Sequence, residues 1–242
     1  MNITRKILTL ILATILLNSC VSTQKYSKYV NLKYAQQCKT LKSNDYIEYE
    51  NIIENDIDSI VKTEKVKSFF VPALVYWKWN NTIKCELSPK QTFMTFQNHF
   101  QYYADSLNIK EKLNGQKLII TIDSIPKTFV YTNKGFVVFM LVAYSYGGLE
   151  AIFPENNKLV FSYKVVQGTT QTKSGQIEVV NTDIPLKNIW KSTKQFTWFY
   201  IDQYENNLKR MSKLQLKNLR MNYKQSITTL KLNYEDFTPT EH

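Results

Sequence analysis

The sequence predicts an α+β fold: a two-layer sandwich in which a mostly antiparallel sheet carries helices on one face and the chain ends in a long helix. Three observations predict it. Several stretches between residues 69 and 180 are rich in aromatic and β-branched residues, and apolar side chains alternate in part of them. Phe93, Phe96, Phe100, Tyr103 and Leu107 instead recur at intervals of three and four. Ile201, Tyr204, Leu208, Met211 and Leu214 repeat that helical spacing near the end of the chain.

The elements follow in order. Residues 21–44 are polar and basic, with Lys25, Lys28, Lys33, Lys39 and Lys42, and read as a tether. Residues 45–58 invert the charge, with six acids and no Lys or Arg, and Ile53, Ile57 and Ile60 suggest a short amphipathic helix. Asp56 and Asp58 lack the Gly and distal Glu of an EF-hand loop and read as part of a solvated acidic face. Residues 69–79 read as an aromatic strand, with Pro72 near its start or on an edge because Pro cannot donate to the ladder. Asn80-Asn81 then turns the chain into a second strand at 82–87. Ser88-Pro89 is a helix start, an N-cap hydroxyl followed by Pro at the first helical position. The aromatic stripe that follows reads as core, with His99 beside it as a half-buried histidine.

Leu118, Ile120 and Ile122 mark an inner strand. Residues 129–131 and 136–143 form a hairpin about Asn133-Lys134-Gly135, and the second arm is the most apolar stretch after the leader. That arm reads as a central strand, with a hairpin dipping into a membrane as the second reading; eight residues cannot span a bilayer as a helix. Strands at 158–166 and 176–180 flank a polar, Gly-containing segment. The last helix covers roughly 187–222.

Among 242 residues there are two His, three Cys, six Gly and six Pro. That excludes a collagen-like chain, a disulfide-dense scaffold and a centre built from several His. There is no Gly-x-Ser-x-Gly elbow, no phosphate-binding loop, no Gly-x-Gly-x-x-Gly turn and no His-Glu-x-x-His pair. No catalytic residue, metal ligand or cofactor is assigned. A pair of carboxylates brought together by the fold is the one catalytic arrangement left open, since such pairs converge in space and not in sequence.

The N-terminus carries the strongest signal. Arg5 and Lys6 precede the apolar run Ile7–Leu17, the pattern of a secretory signal peptide over residues 1–19. Leu17-Asn18-Ser19-Cys20 resembles a bacterial lipobox, with Asn18 a mild departure from its usual small or hydroxylated residue. The resemblance implies cleavage before Cys20 and acylation of its thiol and amino group, which anchors the chain without a membrane-spanning helix. Residues 20–44 then form a lipidated tether and 45–242 a single α+β domain with a basic helix and short tail. Val21, in place of an Asp, and the lack of an acidic cluster after Cys20 point to the outer membrane, facing the periplasm. An oxidising periplasm permits a Cys38–Cys85 disulfide, with two separate buried thiols as the alternative. Asp58-Ser59-Ile60, Asp105-Ser106-Leu107 and Asp123-Ser124-Ile125 resemble the acceptor motif of a bacterial O-glycosylation system, which requires Ser59, Ser106 and Ser124 to be exposed.

Loss of the leader removes Arg5 and Lys6 and no acid, so the formal charge falls from +11 to +9. That surface favours lipid head groups, lipopolysaccharide phosphates or acidic proteins. Nucleic acid is set aside because an exported protein rarely meets it. Lys209, Arg210, Lys213, Lys217, Arg220 and Lys224 of the last helix are candidates for contact with an anionic surface. A lipobox, a basic tether and this element order over 69–222 resemble the small outer-membrane lipoproteins that assist envelope machines. The resemblance implies a non-enzymatic, membrane-anchored protein that binds a lipid or protein component of an envelope assembly. A surface scaffold or adhesion role and a carboxylate-dependent hydrolase are the alternatives.

Overall fold

The computed structural model describes residues 21–35, 44–50, 60–73, 75–140, 143–181, 185–221 and 227–231. Its fold is α+β, as the periodicities predict, with two five-stranded sheets where the sequence suggests one. The strands are β1 (Ile47–Glu50), β2 (Val61–Pro72), β3 (Tyr76–Leu87), β4 (Lys117–Ser124), β5 (Thr128–Phe139), β6 (Tyr144–Pro154), β7 (Lys158–Gln167), β8 (Thr170–Val180), β9 (Leu186–Lys187) and β10 (Ile227–Lys231). The helices are α1 (Thr23–Ala35), α2 (Pro89–Ser106), α3 (Ile109–Leu113) and α4 (Thr193–Met221).

The first sheet has the order β1-β4-β7-β8-β10, with parallel pairs at both edges and antiparallel pairs between them. The second has the order β2-β3-β5-β6-β9 and is antiparallel throughout. The chain changes sheet after β4, after β6 and after β8.

Each sheet buries one face against helices. On the first, Leu118, Ile120, Phe161 and Ile177 meet Phe96 and Phe100 of α2 and Leu208 and Met211 of α4. On the second, Ile83, Cys85, Leu87, Phe129, Tyr131 and Ile152 meet Tyr26 and Val30 of α1 and Phe196, Tyr200 and Ile201 of α4. Helix α4, 29 residues and about 43 Å long, is thus common to both cores: its first half lies on one sheet and its second half on the other. Full burial of each such aromatic or aliphatic side chain contributes about 1.5–3 kcal/mol.

Helix α2 follows its stripe, with Phe96 and Phe100 fully buried and His99 half-buried. Ser88 stands at its N-cap, but its hydroxyl caps nothing; its carbonyl accepts from the Thr92 amide and hydroxyl instead. The helix gives way at Asn108, which adopts a left-handed conformation with φ 51°.

Several expectations change. Residues 23–35 are helix α1, not a polar tether, with Tyr26, Val30 and Tyr34 buried one turn apart. Residues 47–50 of the acidic segment are strand β1, and the expected short helix about Ile53 and Ile57 lies outside the described residues. Asn80-Asn81 and Asn133-Lys134-Gly135 are not turns: β3 and β5 run straight through them. The chain reverses between β2 and β3, where the Ala73 amide donates to the Tyr76 carbonyl, and between β5 and β6, where the Met140 amide donates to the Ala143 carbonyl. Residues 136–139 are the end of β5, the middle strand of its sheet as expected, and not a separate strand of eight residues. The polar segment 167–175 is mostly strand, reversed at Gly168 with φ +60°.

Candidate binding surface: an uncovered blade

Strands β2, β3, β5 and β6 are 11 or 12 residues long, and α1 and α4 cover only part of them. Along β3 the alternation that buries Asn81, Ile83, Cys85 and Leu87 continues outward through Trp79 and Trp77. On the same face β5 carries Phe129 and Tyr131, then Val137 and Phe139 farther out, and β6 carries Ile152, then Tyr146 and Tyr144. The outer residues are not part of the buried cluster that α1 and α4 cover. Phe70, Phe139, Tyr146 and Tyr144 are 49%, 41%, 63% and 74% exposed. The two hairpins lie side by side with their turns at one end, where the Phe139 amide donates to the Val75 carbonyl at 2.7 Å.

The rings pack on one another and on glycine backbone. Trp77 meets Phe139 edge-on at 5.3 Å, and Trp79 stacks on Tyr146 at 6.2 Å. The Trp79 indole nitrogen donates to the Asn133 side-chain oxygen at 2.9 Å. Gly135 lies opposite Trp79 in the register, and a Cβ there would meet the indole ring as well as the Gly147 carbonyl oxygen at 2.7 Å. Phe136, on the opposite face, covers Gly147 in the same way. These glycines serve close approach of rings to strands and not chain reversal.

At the turns both faces are apolar. Phe70, Pro72, Trp77, Val137 and Phe139 stand on the helix side, and Val71, Tyr76, Phe136 and Val138 on the other. Residues 66–80 and 132–149 contain Lys67, Lys78 and Lys134 and no acid. All three lysines are exposed.

The root of the blade is tied down. The Asn81 side-chain amide donates to the Val21 carbonyl at 2.7 Å, and the Thr63 hydroxyl to the Thr23 carbonyl at 3.3 Å. Val21 itself is buried. Across the sheet, Glu150 accepts from the Tyr131 and Thr193 hydroxyls, both at 2.8 Å, and from the Asn188 side-chain amide. It thereby fixes the start of α4, where helix dipole and carboxylate attract. Beside it Ile189 and Trp190 are 74% and 94% exposed.

The residues singled out in the sequence do not converge on this surface. Lys209, Lys213 and Lys217 form an exposed row along α4, with Lys213 above the Tyr103 ring at 5.5 Å. Arg210 is half-buried and donates to Asn181 and Asn207, so it is a structural tie within the fold. Ser106 is exposed at the end of α2, whereas Ser124 is half-buried and accepts from Asn156. Cys85 is wholly buried on β3, and burial pushes its thiol pKa up. Cys20, Cys38, Ser59, Lys224 and the side chain of Arg220 lie outside the described residues.

Elsewhere several polar groups bond within the fold. Asp123 accepts from Ser162 and Gln176, and Asp105 from Tyr46 and Asn44. Lys110 holds the Asp45 carboxyl below its usual range, and Lys127 does the same for Glu86. Among the described residues no three His, Cys, Asp or Glu come together in a metal-binding group, and no helix is long and apolar enough to cross a membrane. A hollow of about 30 Å³ under α4, lined by Pro126, Pro154 and Tyr204 where the sheets meet, has room for little more than a water. No protein-family model, curated protein or solved structure matches the chain.

Proposed function

We propose that the protein is a non-enzymatic lipoprotein of a bacterial envelope, anchored through acylated Cys20, which uses the blade to bind a lipid or protein component of an envelope assembly. The docking of Val21 on Asn81 carries this reading. Cys20 is joined to Val21 by one peptide bond, so an acyl anchor on Cys20 would be attached at the root of the uncovered aromatic surface with no slack between them. Exposed apolar area of this extent, away from the core, is the usual mark of an interaction site. The lipobox supports the anchor, and the acid-free, lysine-bearing blade supports an apolar or anionic partner. The outer membrane, facing the periplasm, remains the proposed location.

A Cys20→Ala variant tests the anchor. The expected result is loss of radiolabelled fatty acid and release from the membrane fraction. A variant that stays labelled and membrane-bound contradicts the reading.

A further inference from the structure

We infer that the blade enters the bilayer itself, endwise, with the Pro72, Tyr76, Phe139 and Tyr144 ends of its strands leading and the tryptophans at head-group depth. The inference rests on the lipid-anchored reading for where the membrane lies.

Four observations select a membrane as the occupant. The first is the shape of the apolar surface. A protein partner laid on a sheet face needs one apolar side; the tip of the blade is apolar on both, with Phe70, Trp77 and Phe139 on one face and Val71, Phe136 and Val138 on the other. An end with apolar side chains on both faces, and Lys78 as the charge set among them, suits immersion. The second is the chemistry of the turns. Pro72-Ala73-Leu74-Val75 and Met140-Leu141-Val142-Ala143 contain no charged or hydrogen-bonding side chain. Turns that meet water are normally built from Gly, Asn, Asp or Ser.

The third is the gradient away from the turns. Phe139 and Tyr144 stand level at the leading end, then comes Tyr76, then Trp77 with Tyr146, and Trp79 lies two rows farther back. Lys78 lies level with Val71 and Phe136, Lys134 level with Asn80, and Lys67 level with Thr82. Aromatic rings with a polar edge followed by lysines match the order of acyl chain, interface and anionic head group. The fourth is reach. Four residues of β3 separate Asn81, which holds Val21, from Trp77, or about 13 Å at strand rise. The tip lies two residues beyond Trp77, so a lipid attached next to Val21 keeps it within about 20 Å of the anchored end of the chain. Strands that are not closed into a barrel do not cross the acyl layer, so entry stops at the boundary of head group and acyl chain, about 5–10 Å deep.

The test uses the full lipidated chain, reconstituted into vesicles of phosphatidylcholine and phosphatidylglycerol whose acyl chains are brominated, a short-range quencher of tryptophan. The chain has four tryptophans, so contact of Trp77 and Trp79 with lipid takes emission toward half of its value in unbrominated vesicles. In a Trp77→Phe, Trp79→Phe variant most of that quenching disappears. Equal fractional quenching of both proteins overturns the inference and places the lipid contact elsewhere. So does a dimer or a bound protein that leaves Trp77 and Trp79 unquenched, which would assign the blade to that partner. The acyl mass of the same preparation is read separately. A chain without acyl mass overturns the anchor reading whatever the blade does. A chain with acyl mass and unquenched tryptophans overturns the blade inference alone.

Discussion

The strands of the second sheet are sealed at one end and bare at the other. Ile83, Cys85 and Leu87 are at most 1% exposed beneath α1 and α4, while Phe139, Tyr144 and Tyr146, on the same face, range from 41% to 74%. The residue types are alike in the two regions: aromatic and aliphatic, alternating with a period of two. What differs is the cover. Hydrophobic character alone therefore does not tell core from contact surface; the reach of the helices does. At the covered end apolar area is removed from water on folding and stabilises the fold. At the bare end the same area is removed only when something docks.

This contrast can be broken by substitution. Phe129 packs on Tyr200 with ring centres 4.8 Å apart and is 1% exposed. Phe129→Ala is expected to lower unfolding free energy by about 3–5 kcal/mol, the cost of a cavity in a tight core. A loss under ~1 kcal/mol in denaturant melts would mean that the covered end is not packed as described. Gly135→Ala probes the blade. The new methyl group would press on the Trp79 ring and the Gly147 carbonyl, so the expected cost is about 1–3 kcal/mol, with a change in tryptophan emission as the indole moves. Unchanged emission would show that Trp79 does not lie over Gly135.

The smallest effect is expected on the solvent face of the covered end. There Glu86 pairs with Lys127 at 2.6 Å, with side chains 39% and 33% exposed. Lys127 and its hydrogen bond depress the Glu86 carboxyl from its reference of 4.5. Stability from this pair is thus fully present above about pH 4.5 and is lost as pH falls through the lower folded value. Solvent screening holds it under about 1 kcal/mol. Glu86→Gln should flatten that acid limb slightly; a steeper limb in the variant would reverse the assigned sign.

Much of the architecture was legible in the sequence. The stripes of α2 and α4 repeat every three or four residues over several turns, a signal few other structures produce. Helix α1 was hidden because its buried side chains, Tyr26, Val30 and Tyr34, are single residues one turn apart in an otherwise polar segment. The hairpins were misplaced for a related reason. Asn80-Asn81 and Asn133-Lys134-Gly135 carry turn chemistry, but Asn81 holds the N-terminal segment, Asn133 accepts from Trp79 and Gly135 makes room for its ring. The true turns are apolar and look like strand. That inversion, polar residues in the strands and apolar ones in the turns, was the available trace of the blade. Its assembly from two hairpins side by side depends on the pairing of β3 with β5, a contact between residues 42 to 62 positions apart.

The central claim is that the blade binds and the covered end holds the fold. Replacing Phe139, Tyr144 and Tyr146 together with Thr, which keeps strand propensity, tests it most directly when stability and membrane or partner association are measured on the same preparation. The account predicts a stability change of less than about 1 kcal/mol per site, as for other exposed positions, together with loss of association by the blade. A drop as large as that of Phe129→Ala, or association that survives intact, would contradict it.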